Sequence, residues 1–104
     1  MNTENQTTTK PAHPMIGRRV LVRTYSAGVH IGTLQSYENM EVHLMDCLRL
    51  WKWEGGGLSL SAVATNGIKK GRLNACKEIF LTNATEIIPL TQEADESFKK
   101  WIED

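Results

Sequence analysis

Cysteine is scarce in this 104-residue chain, and the two present, Cys47 and Cys76, form no C-x-x-C unit. That excludes a zinc site of paired thiolates. An excess of one charge is missing as well: 12 basic residues face 12 acidic ones. A dedicated duplex-DNA binder needs a clear surplus of cations against phosphate, so that class is excluded, while a small anion needs only a local cluster. No apolar run approaches a membrane span, and the polar start Met1–Thr9 is not a signal peptide. The expected compartment is the cytoplasm, with reduced thiols. His13, His30 and His43 have no H-x-x-x-H spacing and no carboxylate partners, so no metal site is expected. No Ser-His-acid set and no paired carboxylates on one strand are found, so no catalytic residue is assigned and no cofactor is implied. Gly55-Gly56-Gly57 lacks the following Lys-Ser/Thr of a Walker loop.

What is present is alternation. Residues 1–14 are polar and aperiodic and predict a loose tail ahead of one small domain, 15–104. From Arg18 to Tyr25, Val20 and Val22 alternate with Leu21 and Arg23, which predicts a strand. Ser26-Ala27-Gly28 is a turn, and Val29–Tyr37 a second strand in which Gly32 marks a bulge, a bend or a close approach. Glu38-Asn39 turns the chain into a third strand, Met40–Leu44, and Cys47–Trp53 makes a fourth. Leu58–Asn66 predicts a short helix capped by Ser59 or Ser61 and ended by Gly67. Ile68–Lys77, with Lys69, Lys70, Arg72 and Lys77, has the look of an exposed basic loop. Glu78–Thr82 and Thr85–Pro89 predict two more strands. Thr91 is a good N-cap for a last helix whose apolar face holds Ala94, Phe98, Trp101 and Ile102. The expected fold is mainly β: a small barrel of about six strands with a short helix and a C-terminal amphipathic helix. Phe98 and Trp101 must be buried by the domain or by a second subunit, which makes a homo-oligomer an expected state.

The richest chemistry lies in Arg49-Leu50-Trp51-Lys52-Trp53. On a regular strand Arg49, Trp51 and Trp53 share one face. Indole rings beside a guanidinium suit a flat anion, the rings by stacking and the arginine by a two-pronged grip on phosphate. The same residues also suit a core strand or a protein contact. Arg23, Ser26, Gly28 and His30 surround a turn that can offer a cation and backbone N–H groups to phosphate, although an isolated turn more often bonds only itself. Ser59 and Ser61 follow the glycine run at a helix start, either as anion ligands or as plain caps.

The blocks Val22–Leu34, Arg49–Trp53, Leu58–Ala64 and Thr85–Pro89, in that order, resemble a family of small phage and prophage proteins with no assigned activity. That resemblance implies a phage origin and a compact β-rich fold. Strand–glycine–strand spacing is similar, by analogy only, to SH3-like and Sm-like barrels. The resulting expectation is a non-enzymatic phage protein that sequesters a nucleotide-type host immune signal, of the cyclic dinucleotide or cyclic ADP-ribose class, in the host cytoplasm. Its candidate ligand residues are Arg23, Ser26, Gly28, His30, Arg49, Trp51, Trp53, Ser59 and Ser61. The alternative is a protein- or RNA-interaction module that uses Trp51 and Trp53 as a contact patch. A metal-free phosphodiesterase acting through His30 is a third reading.

Overall fold

The computed structural model describes residues 13–103. Of the expected tail only His13 and Pro14 fall among them, and residues 1–12 lie outside. The elements are β1 (Arg19–Thr24), β2 (Val29–Glu38), β3 (Glu41–Glu54), α1 (Leu60–Asn66), β4 (Lys70–Leu81), β5 (Ala84–Pro89) and α2 (Gln92–Lys99). The five strands form one sheet in the order β4-β3-β2-β1-β5, with every neighbouring pair antiparallel. The fold is mainly β, as the alternation predicts. Among the described residues the sheet is not closed, however, and it has five strands where about six are expected.

Two physical features account for the lower count. The expected break between the third and fourth strands is a bulge: Asp46 takes φ 51, the register against β2 shifts there, and β3 runs on through it. The expected basic loop is the first half of β4. Its pairing with β3 extends unbroken in direction from Glu54↔Lys70 to Val42↔Leu81. Charged residues sit well on an edge strand, whose outer row faces water. Leu73, fully buried between them, supplies the inward anchor.

The β2–β3 turn is Asn39-Met40, one residue later than the spacing predicts. Both residues have positive φ, 51 and 69, as a type I′ hairpin requires. Asparagine tolerates that region and methionine does not. Met40→Gly is therefore expected to stabilise the fold by about 0.5–1 kcal/mol, the relieved left-handed strain exceeding the added chain entropy. A lower urea midpoint for this variant would contradict the turn assignment.

Both faces of the sheet are buried. Leu21, Ile31, Leu48, Leu50 and Leu73 pack under Val63, Ala64, Ala94 and Phe98 of the two helices. On the opposite face Val20, Val22, Leu34, Val42, Leu44, Cys47, Leu81 and Ala84 form a second core drawn from all five strands. A sheet covers such a face by curling over itself. The curl shows at one end, where β4 leads into β5 through Thr82-Asn83 although the two lie at opposite edges, and Ala84 N–H reaches the Met40 carbonyl at 2.9 Å. Val20, Leu21 and Val22 are thus all fully buried, on alternating faces.

Ser59 caps α1 by accepting from Ala62 N–H, and Gly67 ends it at φ 80. Thr91 caps α2 through Ala94 N–H and donates its hydroxyl to the Thr65 carbonyl at 2.7 Å, joining the two helices. Phe98 is fully buried in the first core and Trp101 packs half-buried against it. The demand that these two rings place on a second subunit is met largely within the chain.

Candidate ligand-binding site

The two chemistry-bearing blocks meet on neighbouring strands. Val29 pairs with Leu50 and His30 with Arg49, so the Ser26–Gly28 turn and the Trp51–Trp53 segment project from the same end of the sheet. Directly paired residues share a face. Val22, His30 and Arg49 line one face, whereas Arg23, Val29 and Leu50 line the other.

His30 is 1 % exposed. Its Nε2 accepts from Arg49 Nε at 3.3 Å. A ring that accepts at Nε2 is neutral and carries its proton on Nδ1. That Nδ1 has no hydrogen-bond partner. Burial, reinforced by the Arg49 charge, lowers the His30 pKa from 6.5 to about 4. His30 is therefore a fixed neutral acceptor that orients the Arg49 guanidinium. Arg49 itself is exposed, and among the described residues no carboxylate pairs with it. A cation oriented through its Nε, with no carboxylate opposite it among the described residues, is what a ligand phosphate or carboxylate needs.

The tryptophans do not share a face. A register shift against β4 falls between Leu50 and Lys52, leaving Trp51 as the extra residue. Parity reverses beyond it, and Trp53 packs against the helix-side core with Leu48 and Leu50. Trp51 stays 49 % exposed, with the Arg72 guanidinium carbon 4.2 Å from its ring centroid. Arg72 is held there by two bonds to the Glu103 carboxylate, at 2.8 and 3.1 Å. Arg72 stood out in the sequence only as part of the supposed basic loop, and Glu103, far from it in the chain, did not stand out at all.

The other candidate residues have local partners. Arg23 bonds Glu86 at 3.3 Å on the far face. The turn is locked by Thr24, whose hydroxyl accepts from Ala27 N–H and donates to the Gly28 carbonyl, both at 2.8 Å. Ser26 Oγ accepts from Asn83 at 3.4 Å. Ser59 is the α1 cap, and Ser61 Oγ lies 3.2 Å from it. The glycine run serves close packing: a Cβ on Gly56 would come within 1.9 Å of the Gly67 carbonyl oxygen.

A separate cleft of about 790 Å³ opens between α2 and the β3–β4 pair, lined among others by Arg19, Asp46, Leu48, Lys77, Lys99 and Ile102. None of the candidate ligand residues named from the sequence lines it. Its arginine is spent internally: Arg19 bonds Asp95 at 3.1 Å, Thr33 at 3.3 Å and the Asp46 carbonyl at 2.7 Å. Lys99 also faces Asp95, at 3.5 Å. Cations already opposed by a carboxylate attract an anion less than Arg49 does. Among the described residues no group of three His, Cys, Asp or Glu could hold a metal ion. No helix there is long and apolar enough to cross a membrane.

A family model described as a domain of unknown function, DUF6948, matches residues 17–98. The chain belongs to this family. The DUF6948 match takes in all five strands, α1 and most of α2, so Arg49, His30 and Trp51 lie within the domain itself. No curated protein matches the chain.

Proposed function

We propose that this DUF6948 protein is a non-enzymatic binder of a small, flat anion of the nucleotide class. One observation carries the reading: Arg49, oriented by a buried neutral His30, has no carboxylate partner among the described residues. Arg49 grips the anionic group, and the half-exposed ring of Trp51 supplies a stacking surface for the base. His30 acts as a positioning residue. The Ser26–Gly28 turn, at the same end of the sheet, borders the ligand. In a phage protein, which the sequence resemblance implies, such binding is sequestration of a host immune signal in the host cytoplasm. The curled sheet is then an opened relative of the small SH3-like and Sm-like barrels, with the ligand at one end.

Equilibrating the purified protein with cyclic dinucleotides and cyclic ADP-ribose isomers, then releasing bound material by heat, tests this. The expected result is recovery of an unaltered nucleotide retained at micromolar concentration. Arg49→Ala should weaken retention by about 10-fold or more, the value of one charge-assisted bond pair, in a protein that remains folded at the assay temperature. Equal retention by that variant, or none by the parent, would sink the proposal. A chemically altered nucleotide would make the protein an enzyme.

The pre-ordered Arg72–Trp51 stack favours one second reading, a macromolecular contact patch, because arginine and tryptophan dominate such interfaces. Capture of a host protein or RNA that Trp51→Ala abolishes, with no nucleotide retained, would select it.

A further inference from the structure

Cys47 and Cys76 are both free thiols, and they are register partners directly opposite each other on β3 and β4. Paired residues on antiparallel strands have Cα atoms about 4.5 or 5.5 Å apart, and both spacings fall inside the range a disulfide spans. The two sulfurs lean toward the same end of the ladder. Cys47 Sγ bonds the Leu44 carbonyl and Cys76 Sγ the Glu78 carbonyl, each at 3.2 Å, and Leu44 and Glu78 lie on the same side of the cysteine pair. The pair differs in access: Cys47 is 2 % exposed and Cys76 is open to solvent. Sequence spacing alone shows none of this, because 28 residues, including all of α1, separate the two cysteines.

We propose that Cys47 and Cys76 form a thiol modification site at which a low-molecular-weight disulfide oxidises the folded protein to an internal cross-strand disulfide. The Cys76 thiolate attacks one sulfur of the reagent, forming a mixed disulfide and releasing one thiolate. Cys47 then loses its proton to solvent and attacks the Cys76 sulfur, expelling the second thiolate. Two protein thiols are oxidised and one reagent disulfide is reduced to two thiols, so electrons and protons balance. Exposure fixes the order of events. Burial, and next the neighbouring Cys76, push the Cys47 thiol up to about 11, so Cys47 is protonated at neutral pH and serves as the resolving partner. Both cysteines are among the residues that line the 790 Å³ cleft beside α2.

The test is incubation of the native protein with oxidised glutathione, followed by intact-mass and peptide mapping. The expected product lacks two hydrogens, carries no glutathione, and maps to a Cys47–Cys76 crosslink. Its melting temperature should rise by more than about 5 °C, because the bond closes a long loop in the unfolded chain. Cys47→Ser should instead stop at a glutathione adduct on Cys76. A stable adduct on Cys76 of the parent protein would overturn the proposal, and so would two free thiols after prolonged oxidation. Crosslinking that appears only in denaturant would overturn it too.

Discussion

Phe98→Ala is expected to remove about 3–5 kcal/mol of folding stability, the largest effect of any single truncation considered. The ring is fully buried where α2 meets the sheet, against a core that draws on β1, β2, β3, β4 and α1. Its surroundings are fixed on several sides and cannot collapse into the space. Ser97 beside it donates to the Ala94 carbonyl at 2.7 Å and accepts from Ile68 N–H at 3.0 Å. Leu73 N–H reaches the Trp101 carbonyl at 3.3 Å, and Glu103 N–H the Leu73 carbonyl at 2.8 Å. A small domain holds only about 5–15 kcal/mol in total, so this variant should sit near the edge of folding. Urea titration checks it: the midpoint falls sharply while the slope is kept. Trp101→Ala, at a half-buried position, should cost clearly less. A loss under 1 kcal/mol for Phe98→Ala would show that α2 is not docked as described.

Acidification should destabilise the protein through a single histidine. His30 titrates near 4 in the folded chain and near 6.5 when unfolded. Above pH 6.5 the ring is neutral in both states, and its contribution is fully present. As pH falls from 6.5 toward 4 the unfolded chain takes up a proton that the folded chain refuses, so stability declines throughout that window. Below about 4 both states are protonated and the effect levels off. The total is on the order of 3 kcal/mol. Melting temperatures of parent and His30→Leu across pH 4–7 isolate the term, since carboxylates titrate alike in both. The difference between the two curves should slope through this window and be flat above it. Parallel curves would mean that His30 is not held neutral in the interior. The same experiment bears on the proposed site, because protonating Nε2 removes the acceptor that orients Arg49.

How much of this was legible in the sequence varied with the physics involved. Alternation located β1, β2 and β5, and the capping residues Ser59 and Thr91 marked both helices, because these signals are local. The bulge at Asp46 was not legible: an ordinary aspartate in left-handed backbone leaves no compositional trace, so one long strand looked like two. The lysines around Leu73 suggested a loop because an edge strand and a solvated loop share a composition. The candidate site was half visible. Arg49 and His30 stood out as residue types, and the structure places them in contact. The extra residue at Trp51, which turns Trp53 to the opposite face, depends on pairing with β4 and has no local signature. Long-range partners such as Arg72–Glu103 and Cys47–Cys76 are set by register, which a single sequence does not display.

The position of β1 carries a consequence for how the chain matures. It sits between β2, which follows it almost at once, and β5, which is translated only after β4. During synthesis the first three strands can assemble as a meander, yet one edge of β1 stays open until the Ala84–Pro89 segment has left the ribosome. Val20, Leu21 and Val22 then wait, apolar on both sides, until that segment arrives. The interval ends only with the slow closure of a long-range pairing. For this domain, newly made chains are most vulnerable to sticking together in the interval before the Ala84–Pro89 segment pairs with β1.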